Sequence, residues 1–160
     1  MSERDEFITT LRTHRGFLRQ TVRGLDDEAA RSTPTVSALS LASLLKHVAD
    51  TEEQWITFAR TGSMPGSEGW SGEDTRFVLT DDHTVDALLT RYDEVAAVTE
   101  EFIAGADLNA AHPLPSAPWF EPGASWTVRR MLLHVLAESA QHAGHADIIR
   151  ESIDGARTMG

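Results

Sequence analysis

Cysteine is absent from the 160-residue chain, which removes disulfide staples, thiolate metal ligands and a cysteine nucleophile. Thiol chemistry would therefore need a thiol from solution. Lysine is nearly absent too: Lys46 is the one lysine among 14 basic residues. With 25 acidic residues the formal net charge is −11, and no basic run opposes it, which argues against a nucleic-acid partner. No apolar run reaches the roughly 20 residues of a membrane helix. The opening Met1-Ser2-Glu3-Arg4-Asp5-Glu6 has no secretory character, so a cytoplasmic location is expected. Convincing strand patterns and the Gly-rich βα turn of a nucleotide-binding fold are also lacking.

Four amphipathic segments are present instead. Phe7, Leu11, Leu18, Val22 and Leu25 recur at helical spacing from about Glu3 to Arg23. Leu41, Leu44, Val48, Trp55 and Ala59 do so behind an N-cap at Ser40. Val85, Leu88, Tyr92, Val95, Thr99 and Phe102 form a third stripe, with Asp81 or Asp82 as its cap and Gly105 as its stop. The fourth segment runs from about Thr127, capped by Ser125 or Thr127, to Ile153. The pattern predicts an all-α fold: one antiparallel four-helix bundle domain over residues 1–160. Its two long connections, 61–79 and 105–125, hold aromatics, and Trp126 follows the second. Such loops in a compact domain are usually functional or disordered, and the aromatics argue against disorder. Trp70, Trp119 and Trp126 either plug the bundle ends or line the approach to a site, with Arg129 near enough to meet an anionic group.

The chemistry concentrates in the fourth segment. At about 100° per residue, His134, Glu138, His142 and His145 share one arc with Met131 and Ile149, a polar cluster on the core-facing side. A buried carboxylate must be paired, protonated or metal-bound. Glu138 and His142, four residues apart, can grip one ion. A third ligand must come from another helix, and His47 lies at the edge of the second stripe. Glu52 also falls on that apolar face, where it either orients a ligand or pairs with an arginine such as Arg129.

Leu44-Leu45-Lys46-His47-Val48-Ala49-Asp50-Thr51-Glu52-Glu53-Gln54-Trp55 resembles the second-helix motif of the DinB/YfiT-like superfamily. Met131-Leu132-Leu133-His134-Val135-Leu136-Ala137-Glu138, with Gln141-His142-Ala143-Gly144-His145-Ala146-Asp147 and Arg150-Glu151, resembles its fourth-helix motif. The latter is especially similar to an actinobacterial branch that includes mini-circle proteins. The resemblance implies a divalent metal, zinc or nickel, held by one ligand from the second helix and two from the fourth. The Glu-x3-His form of that pair resembles mycothiol-dependent maleylpyruvate isomerase. Carried over, the ligands are His47, Glu138 and His142, while His134 and His145 are supporting residues or alternate ligands. The resemblance further implies a metal-dependent S-transferase or isomerase that uses a low-molecular-weight thiol such as mycothiol with an electrophile. A metal-binding stress-response bundle without turnover and a metal-dependent hydrolase remain open. Superfamily members are often dimers, so a homodimer is compatible with the sequence.

Overall fold

A computed structural model describes residues 1–65 and 75–158. Among them are five helices and one two-stranded ribbon: α1 (Glu3–Gln20), α2 (Asp27–Arg31), α3 (Leu41–Thr61), α4 (Val85–Gly105), β1 (Ala111–Pro113), β2 (Ser125–Thr127) and α5 (Val128–Asp154). The four long helices begin at hydroxyl caps. Ser2, Ser40, Thr84 and Thr127 each accept a hydrogen bond from a backbone N–H in the first turn. Thr84 thus takes the place expected of Asp81 or Asp82; Asp82 is instead engaged by the Thr80 hydroxyl. The short α2 and the ribbon escape a periodicity reading because five and three residues are too few to show one.

Two apolar clusters fill the bundle and show the direction of each helix. One joins Leu18 and Val22 of α1, Leu41 to Val48 of α3, Val85 to Tyr92 of α4, and Ala143 to Ile149 of α5. The other joins Phe7 and Leu11, Trp55 to Ala59, Ile103, and Val128 to Val135. Each cluster therefore gathers opposite ends of the α1/α5 pair and the α3/α4 pair. α3 runs antiparallel to α5, and α1 to α4, while the neighbours α3 and α4 run parallel. Parallel neighbours cannot be joined by a short turn. The end of α3 at Thr61 and the start of α4 after Thr84 therefore stand a helix length apart, about 30 Å. The length of that connection is thus a consequence of topology.

Gly62 ends α3 at φ +71°, and a Cβ there would stand 2.9 Å from Nδ1 of His112. The ribbon settles into that gap. His112 contacts the Ala59 carbonyl through Nε2 at 3.0 Å, and its cross-strand partner Trp126 stacks on Trp55.

The bundle interior is not wholly apolar. Arg15 of α1 interrupts the Phe7–Leu11–Leu18 stripe, is buried, and forms a two-pronged ion pair with buried Glu52 of α3. The Thr99 hydroxyl of α4 donates to the same carboxylate at 2.6 Å. Glu100 extends the network to Arg15 at 3.2 Å and Arg12 at 2.5 Å. Three helices are thereby tied at one level. The arginine that Glu52 meets is Arg15, because α1 lies against this part of the core. Arg129, at the far end of α5, pairs with Glu3 at 2.6 Å and Asn109 at 2.7 Å.

Arg15→Met should lower unfolding free energy by about 3–5 kcal/mol, because Glu52 is left as a buried charge without its partner. Adding Glu52→Leu should recover most of that loss. Urea unfolding of both variants checks this, and a single variant within about 1 kcal/mol of the parent would contradict it.

Candidate metal centre

The α3–α5 seam brings His47, Glu138 and His142 together. One donor atom from each lies within 4.8 Å of the other two. Glu138 Oε2 is 3.4 Å from His142 Nε2 and 3.7 Å from His47 Nε2. Two donors about 2 Å from a tetrahedral ion stand roughly 3.3 Å apart, so these separations suit a shared ion. The donor set fits as well: two imidazoles and one carboxylate are the borderline and hard ligands that zinc and its neighbours accept. Antiparallel packing is what lets one residue of α3 meet two residues a turn apart on α5.

The triad is sheltered on the helix side and open on the outer side. His47 and His142 side chains are 8% and 11% exposed, while that of Glu138 is 27% exposed. The buried residues of α5 are Val128, Met131, Leu132, Val135, Ser139, Ala143, Ala146, Ile149 and Arg150. Glu138 and His142 therefore lie on the flank of α5 that borders the seam, rather than in the core expected from their shared arc. This flank position reconciles an ionised carboxyl with the bundle. The His142 ring first, and the His47 ring second, favour the charged form of Glu138 and outweigh desolvation. Its carboxyl is thereby held well below the ordinary carboxylate range.

His134 flanks the triad, with Nε2 3.7 Å from Glu138 Oε1. Its ring meets Trp55 at 4.7 Å and Trp126 at 5.4 Å between centroids. Burial, reinforced by the charge of Arg130 and opposed by Glu138, lowers its pKa and favours the neutral ring. His145 lies beside His142, with their Nδ1 atoms 3.3 Å apart. Glu52 is committed to Arg15 and Thr99 and takes no part in the cluster.

Each long connection supplies a wall of the site. Phe77, from the α3–α4 connection, packs its ring 4.4 Å from His47 and 6.2 Å from His142. The spacing of residues gave no reason to choose it; the only signal was an aromatic in a polar loop. On the other side Trp126 stacks on Trp55 at 5.0 Å and 14°, with Phe120 against both. Trp119 is 63% exposed and touches Phe120 at the outer edge of this group. Trp70 lies outside the described residues. The cation at this wall is Arg130, whose guanidinium sits 4.2 Å from the Trp126 ring centroid. Arg129, one residue earlier, points to α1 and its Glu3.

The family described as Mycothiol-S-transferase matches residues 6–155. The chain belongs to this DinB-like family. Among solved structures, a conserved protein from Enterococcus faecalis superposes with a TM-score of 0.75 at 15% identity, covering 98% of this chain and 99% of that one. At that identity the likeness concerns the fold. No curated protein matches the chain significantly. No described helix is long and apolar enough to cross a membrane. Within this family member, His47, Glu138 and His142 form a donor set that could hold a metal ion.

Ligand imidazoles must be unprotonated, so protons compete with the ion. Glu138 does not add to this competition at mildly acidic pH. Its depressed pKa keeps the carboxyl charged there, and the stability it lends is lost only as pH falls below the ordinary carboxylate range. Zinc affinity measured by chelator competition should fall by about tenfold or more from slightly alkaline to mildly acidic pH. Removing the metal should lower the melting temperature. A flat affinity profile would contradict imidazole ligation.

Proposed function

We propose that the chain is a metal-dependent S-transferase that joins mycothiol, or a related low-molecular-weight thiol, to an electrophile. The observation that carries this reading is the triad itself. Three protein donors with an exposed flank leave room for an exogenous ligand, the pattern of catalytic rather than structural metal sites. Membership of the mycothiol S-transferase family supplies the thiol.

A zinc or nickel ion held there supplies positive charge that favours loss of a thiol proton. The remaining work falls to the chain. Glu138 offsets only one of two positive charges, so the site keeps a net attraction for an anionic sulfur. Phe77 covers the face of His47 and limits water on that side. Trp55, Trp126 and His134 offer a flat wall along the seam, and Arg130 places a cation at its rim. Overall, the thiol sulfur bonds to an electrophilic carbon, and the thiol proton leaves with the displaced group or, in an addition, goes to the product. The family context agrees with a cytoplasmic setting, and a homodimer is compatible with the fold.

Purified zinc- or nickel-loaded protein, mixed with mycothiol and monochlorobimane, should accelerate conjugate formation, and chelation should abolish the gain. Glu138→Gln keeps the size of the side chain but removes its charge. It should cut the rate by about a hundredfold while far-UV circular dichroism stays unchanged. Metal-dependent ester or amide cleavage without thiol would instead favour a hydrolase. Metal binding without either activity would favour a binding protein.

A further inference from the structure

Coordination asks more of a histidine than proximity: the bonding nitrogen must carry no proton, and the ring must face the ion. His142 turns Nε2 toward Glu138 and His47, at 3.4 Å from the Glu138 carboxylate. Bonding through Nε2 places the ring proton on Nδ1. That N–H needs an acceptor, and the contact at 3.3 Å is Nδ1 of His145. It is the hydrogen bond His142 makes through that nitrogen among the described residues. The rings meet edge to face, with centroids 5.3 Å apart and planes at 63°, and both come from one stretch of α5, three residues apart.

Such acceptors are more often carboxylates or backbone carbonyls. The carboxylates on this part of α5 are engaged elsewhere. Glu138 belongs to the triad, Asp147 accepts from the Thr158 backbone N–H at 2.7 Å, and Asp154 is held by Arg150. His47 is placed differently, by the Phe77 ring against its face.

We propose that His145 is the positioning residue of the metal centre: its Nδ1 accepts from His142 Nδ1 and fixes the tautomer and orientation that present His142 Nε2 to the ion. To accept, His145 carries its own proton on Nε2. A neutral acceptor adds no negative charge, so the positive charge left at the site is not reduced as it would be by a carboxylate behind His142. This inference rests on His47, Glu138 and His142 being metal ligands, and is independent of the thiol and the reaction.

The test uses the full chain and zinc alone, by competition with a chromophoric chelator at near-neutral pH. Cobalt(II) absorption reports the coordination geometry. His145→Ala should weaken zinc binding by about 10–100-fold and alter the cobalt spectrum, without changing melting of the metal-free protein. His145→Gln, whose amide oxygen can accept the same hydrogen bond, should recover much of the affinity. Affinity of His145→Ala within about twofold of the parent, with an unchanged cobalt spectrum, would overturn the inference while leaving the ligand set intact. Equal losses in the Ala and Gln variants would overturn it too, because packing rather than hydrogen bonding would then be responsible. A parent protein that binds no zinc would remove the metal centre and this inference together.

Discussion

Glu138 is the point on which the arrangement turns. A carboxylate on a helix flank, set among His47, His134 and His142, gains from hydrogen-bonding rings on its charged form and loses if left alone in a sheltered groove. The α3–α5 seam meets that constraint by aligning one histidine of α3 with a Glu-x3-His pair of α5. A shift of one residue along either helix would turn one of these side chains by about 100° and disperse the set. Much of the rest of the fold can be understood as holding that register.

The buried Arg15–Glu52–Thr99 network is one such device, because it locks α1, α3 and α4 at a single level. Buried ion pairs contribute little net stability compared with apolar substitutes, so their clearer value is in specifying alignment. Just beyond Glu52 on α3, the ribbon carries Trp126 onto Trp55, and Gly62 clears space for His112 to reach the last turn of α3. Packing at these successive levels leaves α3 little freedom to slide against its neighbours.

Topology explains why the walls of the site come from loops. Since α3 and α4 run parallel as neighbours, their connection has to travel the length of the bundle, and it brings Phe77 over His47 on the way. The α4–α5 connection joins diagonal helices and folds back as the ribbon, which delivers Trp126 to the same seam. Loop aromatics thus reach the candidate metal centre because the helix order demands long connections. The same helices without those returns would expose the triad to water on every outer side.

The amino-acid order by itself determined the four long helices, the Ser40 cap of α3, and which residues could share an ion. Apolar spacing, hydroxyl caps and the Glu138–His142 interval are local features, governed by backbone geometry over a turn or two. The likeness of its second and fourth helices to DinB-type motifs carried the link to His47, which spacing alone left open. Tertiary structure decided what depends on neighbours distant in sequence. It paired Glu52 with Arg15 rather than Arg129, put Arg130 rather than Arg129 beside the tryptophans, and set Glu138 on a flank instead of in the core. Arg15 stands out as a charge in an apolar stripe, but its partner depends on helix order and direction. Phe77 had no periodicity to mark it at all. Its place follows from the path of a connection, and that path is set by which helices pack together and in which direction.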